Sequence, residues 1–329
     1  MCDMDRRLER ILPRVQKPAR YTGGEYNQII KDKDGLRARI AFCFPDTYEI
    51  GMSNLGMRIL YEMFNGMPGV WCERVFAPWG DMEREMRSAQ IPLWALESGD
   101  SLDKFDVIAF SLGYEMAYTN VLNMLDLAGI PIHRSERTGL TPLVVAGGTS
   151  CCNPEPLSDF VDLFLIGEGE ELDREVIELY IRAKECGWSK EVFLTAASKI
   201  GGVYVPALYE PRYAPDGTVE RIDRAPGAPE HVTKRIVEDF ENSVFPVNPI
   251  VPSTEIVHDR VTIELFRGCI RGCRFCQAGY AYRPVRSRSV GELVEQGVRS
   301  LENTGYQEIS MASLSTSDYR GLPALCDGL

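Results

Sequence analysis

Short apolar runs with the pattern of buried strands recur through the first two-thirds of the chain. They are ARIAFCF (38–44), DVIAFSL (106–112), PLVVAGG (142–148) and the beginning of DLFLIGEGEEL (162–172). Polar or glycine-rich turns and helical repeats of apolar positions follow these runs, and continuous apolar strands are typical of sheets covered on both faces. Repeated strand, loop and helix units predict an α/β domain with a doubly wound parallel sheet over residues 38–200.

The segments that flank this domain have other patterns. Residues 1–37 are polar and charged and predict an N-terminal extension that includes a helix. Residues 201–255 are rich in proline and tyrosine, and the turn signal at Pro215–Asp216–Gly217 predicts a hairpin followed by a linker. A further unit, which we place at residues 256–329, begins with a new strand pattern.

This last unit has the pattern of one β/α unit and the strand of a second. VTIELF (261–266) and EISMASL (308–314) predict strands. Between them, residues 289–305 predict a helix with Ser289 at its start and Gly305 just past its end.

Charge and cysteine content narrow the class of protein. The net charge of −12 argues against a globally basic surface for nucleic acid. No apolar stretch reaches the roughly 18 residues that a membrane span needs, and the charged N-terminus is not typical of a secretory signal. We therefore expect a cytoplasmic protein, in which ten cysteines point to metal or redox chemistry rather than to disulfides.

Three of these cysteines lie close together in the loop after the strand at 261–266. Cys269, Cys273 and Cys276 have the spacing C-x3-C-x2-C, and glycines at 268 and 272 allow the backbone to turn. Thiolates suit iron–sulfur clusters and zinc, but a structural zinc site takes four protein ligands and this loop offers three. Three ligands on a four-iron cluster would leave one iron open for a substrate or cofactor.

The motif, with Phe275 just before the last cysteine, resembles the signature of the radical S-adenosylmethionine (radical SAM) superfamily. The resemblance implies that Cys269, Cys273 and Cys276 hold three irons of a 4Fe-4S cluster. The fourth iron would bind S-adenosylmethionine, with Phe275 near its adenine, and an electron donor such as flavodoxin or ferredoxin would reduce the cluster. The resulting 5′-deoxyadenosyl radical abstracts hydrogen from a substrate.

The same resemblance gives expectations for the second strand of this unit and for its length. In the superfamily the end of that strand helps to hold the amino group of S-adenosylmethionine, and Ser313 or Ser315 could do so here. A polar strand end without this role is the alternative. Residues 256–329 would form only the start of a (β/α) barrel, which takes about 250 residues when complete. We therefore expect a truncated radical SAM domain that does not turn over substrate alone.

Residues 38–200 resemble the cobalamin-binding domain that precedes the radical domain in many of these enzymes. The resemblance places Ser111, Gly147 and Gly148 at strand ends where a cofactor can approach the backbone. The usual cobalt-ligand motif is Asp-x-His-x-x-Gly, and Tyr48 occupies the histidine position in residues 46–51. A phenol is a poor metal ligand at neutral pH. Either cobalamin binds without a ligand from this loop, or the domain has become a scaffold.

Rival interpretations stay open at this point. The three cysteines could bind zinc with a distant fourth ligand such as Cys326, which would give a zinc-stabilised interaction module without catalysis. An electron-transfer iron–sulfur protein would usually show a fourth cysteine nearby. The six arginines in residues 267–288 could balance the cluster and the cofactor carboxylate, or they could contact an RNA substrate.

Overall fold

A computed structural model describes residues 3–329, and its largest element is a six-stranded sheet. The strands are β1 (Ala38–Phe44), β2 (Val70–Phe76), β3 (Val107–Ser111), β4 (Leu143–Gly147), β5 (Leu163–Leu165) and β6 (Val203–Tyr204). Their order is β2-β1-β3-β4-β5-β6, with parallel pairing except for the antiparallel edge strand β6. This architecture confirms the predicted doubly wound α/β fold.

Helices cover both faces of this main sheet. The helices from the N-terminus to β6 are α1 (Asp3–Ile11), α2 (Tyr48–Met52), α3 (Leu55–Asn65), α4 (Gly80–Ala89), α5 (Tyr118–Leu127), α6 (Gly169–Glu185) and α7 (Lys190–Ala197). One apolar core joins α3, α6 and α7 to the sheet, and a second joins α4 and α5 to the opposite face. Fully burying one large apolar side chain contributes roughly 1.5–3 kcal/mol, so these two cores supply most of the driving force for folding.

Strand β2 was not predicted from the sequence, because charged residues interrupt its apolar pattern. Glu73 and Arg74 lie in the middle of the strand and are almost completely buried. The Arg74 guanidinium binds Glu97 and Glu25 with N–O distances of 2.6 Å to each. These pairs satisfy the buried charges, and a strand with charged residues can therefore occupy the edge of the sheet.

Residues 256–329 form a smaller unit around a parallel strand pair. It contains β9 (Val261–Glu264), β10 (Phe266–Arg267), β11 (Arg286–Ser287), β12 (Ile309–Ala312), α8 (Ala278–Ala281), α9 (Val290–Thr304) and α10 (Leu322–Gly328). Strand β12 pairs with β9, and both pack with α9 and α10 in a third apolar core. Ser289 accepts a hydrogen bond from the Glu292 N–H at the start of α9, as its sequence pattern predicts.

The intervening segment carries the predicted hairpin and then runs back along the main sheet. Strands β7 (Tyr209–Tyr213) and β8 (Val219–Arg224) pair antiparallel around the turn at Asp216–Gly217. Farther on, Arg235 forms a parallel bridge with Gly167, at the carboxyl end of β5. The linker is therefore packed against the strand ends rather than free.

The N-terminal extension contacts distant parts of the chain. Asn27 donates hydrogen bonds through its side-chain amide to the carbonyl oxygens of Pro249 (3.2 Å) and Asn303 (3.0 Å). Tyr26 bridges to Val251 in the linker. Among residues 3–329, no helix has the length and apolar character needed to cross a membrane.

Candidate functional site

A cavity of about 340 Å³ lies at the carboxyl ends of β1, β3, β4 and β5, between helices α3 and α6. Its inner wall is apolar, and its mouth is formed by polar groups that include Lys234, Arg267 and Tyr282. Ser111, Gly147 and Gly148, which the sequence singled out as cofactor-contacting residues, all line it. In open parallel sheets this edge is where ligands bind.

The backbone at this edge depends on a glycine. Gly148 has φ +109°, and a Cβ there would lie 2.4 Å from the carbonyl oxygen of Leu112. Any other residue would push the end of β4 away from the end of β3. Gly148 therefore lets two neighbouring strand ends approach closely at the cavity.

The cysteine loop lies between two short antiparallel strands, which pair with each other and close its base. Strands β10 and β11 pair Phe266 with Ser287 and Arg267 with Arg286, so residues 268–285 leave and return at one point. Gly268 has φ +91°, and a Cβ there would lie 2.7 Å from the carbonyl oxygen of Pro284. The chain can close at this point only with glycine.

The three cysteine side chains are accessible. Cys273 is exposed, and Cys269 and Cys276 are half-buried. The backbone N–H of Arg271 donates to the Cys269 sulfur at 3.5 Å, and the Cys276 N–H donates to the Cys273 carbonyl at 3.1 Å. Within residues 3–329, no three or more His, Cys, Asp or Glu side chains are placed so that they could hold a metal ion. By its chemistry, a donor set of three thiols suits an iron–sulfur cluster or, with a fourth ligand, zinc.

Phe275 belongs to the cysteine loop, and Ser313 directly follows β12. Phe275 is 93% exposed. Ser313 follows β12, the neighbour of β9, and its hydroxyl lies 2.9 Å from that of Thr316. The adjacent Asp318 forms an ion pair with Arg271 of the cysteine loop and accepts a hydrogen bond from Ser315 at 2.7 Å. The turn that follows β12 therefore contacts the cysteine loop directly, through an aspartate that the sequence did not single out.

Ion pairs with the main sheet anchor the base of the cysteine loop. Arg267 binds Glu170 at 2.5 Å and Glu264 at 2.9 Å, and Arg286 makes a bidentate contact with Glu168 at 2.5 and 2.6 Å. Burial alone would lower the pKa of Arg267, but Glu264 and Glu170 offset this effect and raise it. Burial alone would raise the pKa of Glu168, but Arg286 and Arg267 lower it. Arg267 and Glu168 are therefore both charged at neutral pH.

The linker completes this anchor. Phe240 is buried, and the guanidinium groups of Arg267, Arg286 and Arg288 lie 4.9, 5.8 and 4.5 Å from its ring centre. The Lys234 ammonium donates to the carbonyl oxygens of Ala281 (2.8 Å), Arg283 (2.6 Å) and Tyr280 (3.3 Å). Several of the arginines are thus engaged with carboxylates and aromatic rings, which does not support the alternative that this stretch contacts a phosphate backbone.

Tyr48 does not face the cavity. It is buried at the start of α2, and its hydroxyl donates to the Glu25 carboxylate at 2.5 Å. Burial and the Glu25 charge both raise the pKa of Tyr48. Its oxygen therefore stays protonated and hydrogen-bonded, and this loop supplies no ligand for a cobalt ion at the strand ends.

One residue that lines the cavity was not predicted from the sequence as a site residue. Asp173 is 7% exposed and lies beside the cavity, one turn into α6. The sequence could have indicated that Asp173 is buried, because Leu172, Val176 and Ile177 place position 173 on the apolar face of the helix. A carboxylate on such a face is exceptional enough to indicate a function.

Comparison with known proteins agrees with the superfamily that the cysteine loop resembles. A family model described as "Radical SAM proteins, N-terminal" matches residues 56–206. The match lies on the main sheet and not on the cysteine loop, so it is independent of that motif. It supports membership of this chain in the radical SAM superfamily and confirms the prediction.

The chain is also similar to a curated archaeal protein. An uncharacterized protein of Methanocaldococcus jannaschii is 23% identical over 292 residues, which cover 88% of this chain and 52% of the relative. The chain therefore spans about half the length of the curated relative that it matches.

Proposed function

We propose that the chain carries the cluster-binding part of a radical SAM enzyme, in which Cys269, Cys273 and Cys276 each bind one iron of a 4Fe-4S cluster. The observation that carries the proposal is that one loop, closed at its base by the β10–β11 pair, contains all three thiols. When bound, the cluster supplies the electron that cleaves the sulfonium of S-adenosylmethionine to a 5′-deoxyadenosyl radical.

The residues around the loop would orient the cofactor. The exposed ring of Phe275 is free to cover the adenine, and the Ser313 hydroxyl lies at the strand end beside the loop. The Arg271–Asp318 pair would hold that strand end against the loop. The exposure of Cys273 leaves a path for a flavodoxin or ferredoxin to deliver the electron.

Anaerobic reconstitution of the full chain with iron and sulfide tests the proposal. We expect a brown protein with about four irons per chain and a reduced-state EPR signal that changes when S-adenosylmethionine is added. Replacing all three loop cysteines by alanine should abolish iron binding. Cys326→Ala is the matched control, because Cys326 is exposed and lies outside the loop. A colourless protein that retains zinc would overturn the proposal in favour of an interaction module.

Neither rival cofactor gains support from an observed contact. A structural zinc site would need a fourth protein ligand, and the cysteine loop offers three. Cobalamin would receive no ligand from Tyr48, so the proposal includes no cobalamin-dependent step. The net charge and the pairing of the loop arginines with carboxylates also disfavour RNA as the substrate.

A further inference from the structure

The cavity between α3 and α6 contains a carboxyl group that nothing on the protein binds. Asp173 is 7% exposed, and within residues 3–329 its side chain has no hydrogen bond or ion pair. One of its oxygens lies over Gly169, where an added Cβ would approach it to 2.7 Å. Glycine at 169 therefore leaves the space that the carboxyl group occupies.

In the part of the chain that the structure describes, none of the cations that line the cavity is paired with Asp173. Arg267 is bound to Glu170 and Glu264, and Arg235 is bound to Glu171 and Glu175. The Lys234 ammonium donates to backbone carbonyl oxygens, and the Arg283 guanidinium lies over the ring of Tyr280. Burial and the Glu170 charge both raise the pKa of Asp173. A buried carboxyl group without a partner stays neutral because ionising it there costs far more than in water.

A neutral carboxyl group has a distinct hydrogen-bonding pattern. It presents an O–H donor and a C=O acceptor side by side in one plane. The group that matches both at once is an N–H beside a C=O or a ring nitrogen, as in an amide or a lactam. A phosphate or a carboxylate offers no such donor beside an acceptor.

The lining of the rest of the cavity determines the polarity and size of the ligand that fits there. Its inner wall is built from aliphatic and aromatic side chains of the sheet and of both helices, among them Phe42, Leu60, Val145 and Ile177. Its volume of about 340 Å³ is in the range of small-molecule sites. An apolar ring system fits this lining, because a charged one would lose its hydration without compensation.

We propose that this cavity binds a neutral, mostly apolar molecule that presents an amide-type edge to Asp173. The mouth of the cavity borders the cysteine-loop segment through Tyr282 and Arg267. A molecule bound there lies between the main sheet and the cysteine loop. The proposal does not depend on the cluster and is tested without iron.

The probe is 2-quinolone, a flat lactam, and its matched partner is 1-methyl-2-quinolone, which lacks only the N–H. Titration calorimetry on the full chain should show saturable binding of 2-quinolone and at least tenfold weaker binding of the methylated compound. Asp173→Leu should weaken 2-quinolone at least tenfold, whereas Asp173→Asn, which keeps an amide edge, should stay within a few-fold. Glu178→Leu, on the exposed face of α6, is the matched control and should change nothing.

Two results would overturn the proposal. One is the absence of saturable binding of 2-quinolone to the unmodified chain. The other is equal affinity for the two quinolones, which would mean that an apolar body alone is recognised. If Asp173→Leu does not fold, the comparison of the two quinolones on the unmodified chain decides the question.

Discussion

The strand ends of the main sheet and the cysteine loop lie side by side but are stabilised in opposite ways. The strand ends are held by apolar cores on both faces of the sheet, and the cavity at these ends has a mostly apolar inner wall. The cysteine loop is held at its base by ion pairs, while Ile270 and Phe275 at its tip are 76% and 93% exposed. The difference teaches that burial of apolar side chains shapes the strand ends, whereas charge pairing at its base positions the cysteine loop.

The sharpest test of this comparison removes one exposed sulfur. Cys273→Ala should reduce iron from about four per chain to almost none after reconstitution, since the loop has no spare ligand. The free energy of unfolding of the iron-free protein should change by less than about 0.5 kcal/mol, because Cys273 is exposed. Iron analysis and urea unfolding measure the two effects. Cys186→Ala, another exposed cysteine, is the control, and an equal loss of iron there would contradict the assignment.

The main sheet should respond in the opposite way. Arg74→Leu leaves Glu25 and Glu97 buried without their partner, which should lower the free energy of unfolding by about 3–5 kcal/mol. Urea unfolding measures this loss. Arg87→Leu removes an exposed ion pair with Asp126 and should cost less than about 1 kcal/mol. Similar losses in the two variants would show that the buried network is not specially important.

Breaking the anchor at the base should loosen the loop alone. Glu168→Gln removes the charge that holds Arg286, a contact of the kind worth about 1.5–3 kcal/mol. Trypsin should then cleave after the exposed Arg274 roughly tenfold faster, because tenfold in an opening equilibrium corresponds to about 1.4 kcal/mol. Mass spectrometry of the fragments locates the cut. Glu178→Gln should leave the rate unchanged, and an unchanged rate in Glu168→Gln would argue against the anchor.

The pH dependence of stability separates the two regions further. The pKa of Asp173 is raised in the folded state, so its contribution to stability is complete below about pH 4 and is lost as the pH rises. Asp173→Asn should therefore gain stability relative to the unmodified chain between pH 4 and 8, by roughly 1 kcal/mol or more. The pKa of Glu168 is lowered, so its contribution is lost as the pH falls below about 4. Urea unfolding across this range measures both trends, and a flat difference for Asp173→Asn would mean that its carboxyl group is not desolvated.

Sequence patterns predicted the strands and helices whose formation depends on residues close together in the chain. The apolar runs of β1, β3, β4 and β5 each match a strand, and the capped helix over 289–305 matches α9 to within a residue. Strand β2 was missed because the burial of Arg74 depends on Glu25 and Glu97, which lie 49 and 23 residues away in the chain. Periodicity cannot reveal a charge that is neutralised by a distant residue.

The candidate site was predictable to a similar extent. The cysteine spacing identified the superfamily, and strand-end glycines located the cavity that the structure places there. The anchor formed by Glu168, Glu170 and the linker could not be predicted, because it depends on how two units of the chain meet. Tyr48 was placed by its motif at a ligand position, yet its ring turns into the buried network instead.

The hydrogen bonds of Asn27 have a consequence for how the protein is made. Its amide binds the Asn303 carbonyl, so two segments that lie 276 residues apart in the chain are held together. During translation the main sheet can assemble while the ribosome is still adding the cysteine loop, but this contact must wait until helix α9 has emerged. The docking of the N-terminal segment therefore follows the synthesis of both units.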